Sequence, residues 1–188
     1  MPNQDNTGFW PIDRHPSTEL LMDVDSANGT AVFLGDLVSV KAAGTVGPAA
    51  AGDAAIVAGS VVGIYDTNGL PAGHPEAAVS TKYLPASTAG KVLVALAIPG
   101  RRFRAQTQTG QTLTSAARMA STDHVAGAGS TTTGMSGHEL NGSDLNTGAQ
   151  VFIIDLYKDS NNAYGEHADY QVIFNESYWM GVGKSAGV

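Results

Sequence analysis

The chain has no cysteine, so it can form neither disulfide staples nor thiolate metal sites. Charge is also scarce: Asp, Glu, Lys and Arg make up 14% of the residues, against roughly 25% in soluble domains generally. A surface this poor in charge has to be covered by Ser, Thr, Asn, Gln and Gly, or by partner molecules. Cations are scarcer still, at 10 Lys+Arg against 17 Asp+Glu, a net charge of −7. Nucleic-acid binding needs clustered cations to displace counterions, and Arg101, Arg102 and Arg104 form too small a knot for that. Long apolar runs are missing too, since no stretch approaches the ~20 residues of a membrane helix. The opening residues, Met1 to Asp5, lack the cationic and apolar regions of a signal peptide. Folding in a bacterial cytoplasm is the expectation, and the Asn-x-Ser/Thr triplets at Asn28, Asn141 and Asn175 are then chance matches. Helix-favouring Glu, Lys and Arg are few, which argues against a helical bundle.

Hydrophobic residues reach 43% and glycines number 23 in 188 residues, enough for one well-buried core. From Thr30 onward, β-branched runs alternate with Gly, Pro, Asn and Asp, the signature of strands joined by turns. The runs are 31–40, 56–65, 91–98, 101–107, 151–157 and 170–175. Asn68-Gly69 and Pro99-Gly100 mark tight reversals, and the last two runs suit a long-looped antiparallel hairpin. The pattern predicts an all-β domain over 31–180, a single β-barrel or β-sandwich of six to ten strands. Its expected core is Val32, Leu34, Val38, Val57, Val62, Ile64, Val92, Val94, Leu96, Phe103, Phe152, Ile154, Val172 and Phe174. Only Leu113 to Ser121 reads as helical, for two turns. Val125 to Gly148 reads as a long Gly/Thr-rich polar loop, and long loops in compact domains tend to be functional or disordered.

Residues 1–30 show no sustained periodicity and are punctuated by Pro2, Pro11 and Pro16. They read as an extended arm whose anchors Phe9, Trp10 and Ile12 are expected to dock on a neighbouring subunit or shell. Residues 181–188 read as a flexible tail.

The catalytic and ligand motifs each fail on spacing. Gly181-Val182-Gly183-Lys184-Ser185 imitates the end of a phosphate loop, but position 178 is Tyr178 where the motif needs glycine. Gly127-x-Gly129 lacks a third glycine, because position 132 is Thr132. Gly134-Met135-Ser136-Gly137-His138 departs from a nucleophile elbow at His138. The loop at Asp159, Asn161 and Asn162 misses calcium-loop spacing at Ala163. Asp23 and Asp25 lie in the arm, with nothing to place them in a cleft. The five histidines, His15, His74, His124, His138 and His167, show no ligand spacing. Each reads as a surface residue, although His124 and His138 flank one loop and could meet in space. These readings predict no enzymatic activity, no metal and no cofactor.

Four segments carry a resemblance, in the order of the chain. They are Gly8-Phe9-Trp10-Pro11 with Arg14-His15; Val32-Phe33-Leu34-Gly35-Asp36-Leu37-Val38; Val125 to Gly137 leading to Glu139-Leu140; and Asn162-x-Tyr164-Gly165 with Val172 to Glu176. Together they are similar to a family of tailed-phage capsid decoration or cement proteins, common among marine phages. The match is closest in the glycine and threonine loop. It departs at Trp10, where that family usually has arginine, and beyond Trp179.

The resemblance implies a virion structural protein on the capsid exterior that binds and stabilises the major capsid protein shell. It also implies self-association, most simply as a trimer on a symmetry axis, with no role for nucleic acid or membrane. The contact residues it implies, together with the arm reading, are Phe9, Trp10, Ile12, Arg14, Gly127, Gly129, Ser130, Thr131, Thr132, Thr133 and Gly134. The rival expectations are another virion component, such as a tail, spike or minor head protein, or a small β-fold carbohydrate-binding module.

Overall fold

Short alternating runs give short strands, and the computed structural model of the chain, which describes residues 7–13, 16–52, 56–146 and 149–179, assembles eleven of them among those residues. They are β1 (Trp10–Pro11), β2 (Glu19–Val24), β3 (Leu37–Val40), β4 (Val46–Pro48), β5 (Gly59–Tyr65), β6 (Gly90–Leu96), β7 (Phe103–Gln106), β8 (Ser121–Gly127), β9 (Gly137–Asn146), β10 (Val151–Leu156) and β11 (Asp169–Phe174). A six-stranded sheet runs β1-β7-β11-β10-β8-β9, and a five-stranded sheet runs β2-β6-β5-β3-β4. Every pairing within them is antiparallel. The two sheets pack face to face, so of the two all-β architectures expected it is the sandwich that forms.

One core lies between the sheets. Leu37 and Ala95 from the second sheet, with Val57 just ahead of β5, meet Phe103, Val151, Ile153, Tyr170, Val172 and Phe174 from the first. The second sheet buries its other face as well, around Val32, Val38, Val61, Ile64, Leu84, Val92 and Val94. It does so by curling until Cα atoms of its edge strands β2 and β4 come within 8 Å of each other, and by carrying residues 66–89 across the opening. Asp66 folds that crossing. Its Oδ1 accepts from the amides of Asn68 and Leu70 at 2.9 and 2.8 Å, and its Oδ2 from Ala78 at 3.0 Å. These amides, Ala78 first, hold the buried carboxyl below its ordinary range.

Four sequence readings are corrected. The arm is not free of the domain: β1 pairs with β7, and β2 pairs with β6 along its whole length. Alternation is missing from Glu19-Leu20-Leu21-Met22 because β2 is an edge strand whose Leu20 and Leu21 stay 44% and 49% exposed. The helix at 113–121 shrinks to one 3-10 turn, Ser115–Ala117, capped by the Thr114 side chain. That turn is enough to bury both Leu113 and Ala117. Met119 then adopts a φ of 63°, and Ser121 opens β8.

The loop expected over 125–148 is mostly the hairpin β8–β9, with Ala126 opposite His138 and Gly127 opposite Gly137. In β10 the buried residues are Val151 and Ile153 rather than Phe152 and Ile154. Positions 151–154 are all apolar, so the inward phase is set by pairing with β8 and β11 and by the irregularity after Ile153.

Candidate interaction surface and the polar node behind it

The expected contact residues separate into three groups. Phe9 is fully buried in its own domain, 0% exposed, with its ring 5.8 Å from Phe174 and edge-on to His124 at 6.3 Å. Docking of Phe9 on another molecule is therefore corrected: it plugs the core between the sheets. Trp10 and Ile12 are half-buried on the edge of the first sheet. Trp10 Nε1 donates to Thr7 O at 3.1 Å, and Ile12 N donates to Arg102 O at 3.0 Å. Arg14 lies outside the described residues.

The glycines of the tip do internal work. A Cβ on Gly127 would sit 2.2 Å from Gly137 O, and one on Gly129 would sit 2.4 Å from the Phe33 ring. Phe33 is itself stacked on Tyr83, with centroids 4.9 Å apart, so Gly129 closes an aromatic clamp. Gly134, at φ +79°, leaves only 2.7 Å between its Cβ position and Lys82 O. Exposed to solvent are Ala126, Ala128 and the run Ser130, Thr131, Thr132 and Thr133. Ser130 Oγ accepts from Thr133 N at 3.2 Å, and Gly134 N returns to Ser130 O at 2.8 Å. The result is a compact turn presenting hydroxyls from a rigid base.

Behind the tip lies a buried polar node that the sequence reading placed at the surface, apart from allowing that its two histidines could meet. They do meet: His124 from β8 and His138 from β9 stack with ring centroids 5.2 Å and planes 25° apart. His124 Nδ1 lies 2.7 Å from Gln150 Oε1. His138 Nδ1 accepts from Leu37 N at 3.3 Å, and its Nε2 lies 3.7 Å from Asp36 Oδ1. Asp36 Oδ2 accepts from Phe33 N at 2.8 Å, and the carboxyl also bonds the Ser136 hydroxyl. Ser136 Oγ in turn accepts from His138 N at 2.9 Å.

Burial governs the charges here. It raises the Asp36 carboxyl to about 7, against the pull of Ser136 and Phe33. It pushes the His138 imidazole down to about 3, with His124 adding to the effect. His124 is lowered as well, chiefly by desolvation. Ser, His and Asp thus come together, but the serine hydroxyl engages the carboxyl and both histidine nitrogens face other partners. All three side chains are buried, and the cluster has no open face for a substrate.

The arginine knot is likewise structural. Arg101 is buried, donates to Thr18 O at 2.6 Å and tacks the start of β2 to the β6–β7 turn. Arg102 pairs with Asp13 at 2.9 Å, and Arg104 lies 4.0 Å from Asp169. Among the described residues, no group of three or more His, Asp or Glu side chains is placed to hold a metal ion, and no helix is long and apolar enough to cross a membrane. Comparison with known proteins found no matching family model, no matching curated protein and no matching solved structure.

Proposed function

We propose that the chain is a structural protein of a tailed-phage virion, a decoration or cement protein on the capsid exterior that binds and stabilises the shell of the major capsid protein. The observation that carries this reading is the β8–β9 tip. The segment closest to the decoration family is a rigid hairpin whose glycines are consumed by packing on Phe33 and Lys82, leaving four adjacent hydroxyls, Ser130 to Thr133, exposed. A fixed row of hydroxyls can hydrogen-bond a protein surface without the desolvation cost of charge. Apolar contact area is supplied by exposed Tyr178 and Trp179, aromatic types enriched in interfaces.

Self-association, most simply as a trimer, multiplies one such tip into several shell contacts. In this reading the protein has no catalytic step, cofactor or nucleic-acid partner. Quantitative mass spectrometry of purified virions tests it. A copy number in fixed proportion to the capsid protein supports the proposal. Recovery only with isolated tails would transfer the chain to a tail or spike role, and absence from virions would overturn the proposal altogether.

A further inference from the structure

The segment Thr7 to Phe9, just ahead of β1, crosses the sandwich as a strap, and its fastenings converge on the histidine node. Gly8 N donates to His138 O and Phe9 N to Gly35 O, both at 2.9 Å. The Thr7 hydroxyl donates to Ser136 O, and the Ser60 hydroxyl donates to Phe9 O. The Phe9 ring lies edge-on to the imidazole of His124, so the strap packs against one member of the stacked pair.

Burial keeps His124 uncharged although its bonds to Gln150 and Ala49 favour a proton, whereas at His138 the hydrogen bond itself opposes one. Because His138 Nδ1 accepts from Leu37 N–H, a proton there would set two N–H groups against each other. A cation on either ring would also face the other imidazole across the stack, in a buried place. The titratable groups facing the pair are Asp36, from the turn before β3, and Asp123, which acts on His124 from its own strand. The strap contributes the uncharged Phe9 and β5 contributes Ser60, while strand alternation turns Glu139 to the opposite face from His138. The node itself thus holds two stacked imidazoles and one carboxyl, Asp36, which lies beside His138. Opening the node in mild acid takes up two protons and returns at most one, the one burial holds on Asp36.

We propose that the node is an acid-released latch: protonation of the stacked His124–His138 pair breaks the Leu37 bond to His138 and frees the Thr7–Phe9 strap while β1 and the other strands of the two sheets stay paired. The strap is the weak point because its amide and Thr7 hydroxyl bonds end on carbonyls of Gly35, Ser136 and His138, the backbone of the node. The strands are held instead by one another. Local opening of this kind is ordinary native-state behaviour, and this inference stands independently of the shell-binding reading.

Native-state hydrogen exchange followed by NMR tests it on the full chain. Protection at the Gly8 and Phe9 amides is expected to fall by about tenfold per pH unit below the ordinary imidazole value of 6.5, while protection at Val172 and Val94 holds. The double variant His124→Asn/His138→Asn keeps a side-chain amide near each Nδ1 position and cannot protonate, so its strap should stay protected. If that variant does not fold, the wild-type imidazole signals decide: both must titrate together with the loss of strap protection. Strap and strand amides opening together, an unchanged acid response in the double variant, or imidazoles that titrate apart from the strap would each overturn the latch.

Discussion

Asp36 Oδ1 lies 3.7 Å from His138 Nε2, and burial shifts the two groups in opposite directions, the carboxyl up to about 7 and the imidazole down to about 3. Their contributions to stability therefore run against each other. The raised carboxyl contributes most below its unfolded value of 3.8, and this contribution is lost as pH rises through about 7. The depressed imidazole contributes above its unfolded value of 6.5 and loses its contribution as pH falls towards about 3. Relative to wild type, Asp36→Asn should therefore look progressively less destabilised as pH rises from 4 to 7, and His138→Asn progressively less destabilised as pH falls from 6.5 to 4. Urea unfolding at a series of pH values measures both slopes, and parallel profiles would refute the opposed shifts.

Phe9 fills the core between the sheets, so Phe9→Ala should cost about 3–5 kcal/mol, as large-to-small changes of buried aromatics do. Deleting residues 1–19 should likewise lower the melting temperature steeply, since it removes Phe9 and β1 and cuts into the start of β2. An arm docking only on a partner would leave melting unchanged, which makes calorimetry of the two variants decisive.

The sequence made the all-β class legible because turn residues bound nearly every β-branched run, and those runs became β3, β5, β6, β7, β10 and β11. Three things were hidden. An edge strand need not alternate, so β2 passed as part of an arm. Gly127 and Gly137 read as loop residues, although here they let two backbones approach more closely than any Cβ allows. The polar node joins Asp36 to residues about a hundred positions away, and spacing along the chain carries no sign of that meeting. The one available hint was that His124 and His138 flank a single loop, which becomes visible once the loop is recognised as a hairpin.

The exposed edge of β2 carries Leu20 and Leu21, whereas the opposite edge of its sheet carries Pro48, which cannot donate to an added strand. Exposed apolar side chains on an edge strand invite association with other chains. Leu20→Lys/Leu21→Lys should leave stability within about 0.5 kcal/mol per site and reduce self-association at high protein concentration, read by sedimentation velocity. Unchanged association would place the self-contact elsewhere.

Under the proposed shell-binding function the β8–β9 hairpin separates fold from recognition, and two sets of substitutions should divide accordingly. Gly137→Ala places a Cβ 2.3 Å from Ala128 O. Neither backbone can yield without breaking the ladder, so a loss of about 1–3 kcal/mol is expected, in the range of an overpacked core. Replacing Thr131, Thr132 and Thr133 together by alanine removes side chains that are exposed, so melting should stay near wild type. If the tip is the shell contact, this same triple variant should lose most of its binding to shells of the capsid protein in a co-sedimentation assay. The Gly137→Ala protein should bind in proportion to its folded fraction. Full binding by the threonine variant would remove the tip from the interface and leave the exposed Tyr178 and Trp179 as the next surface to test.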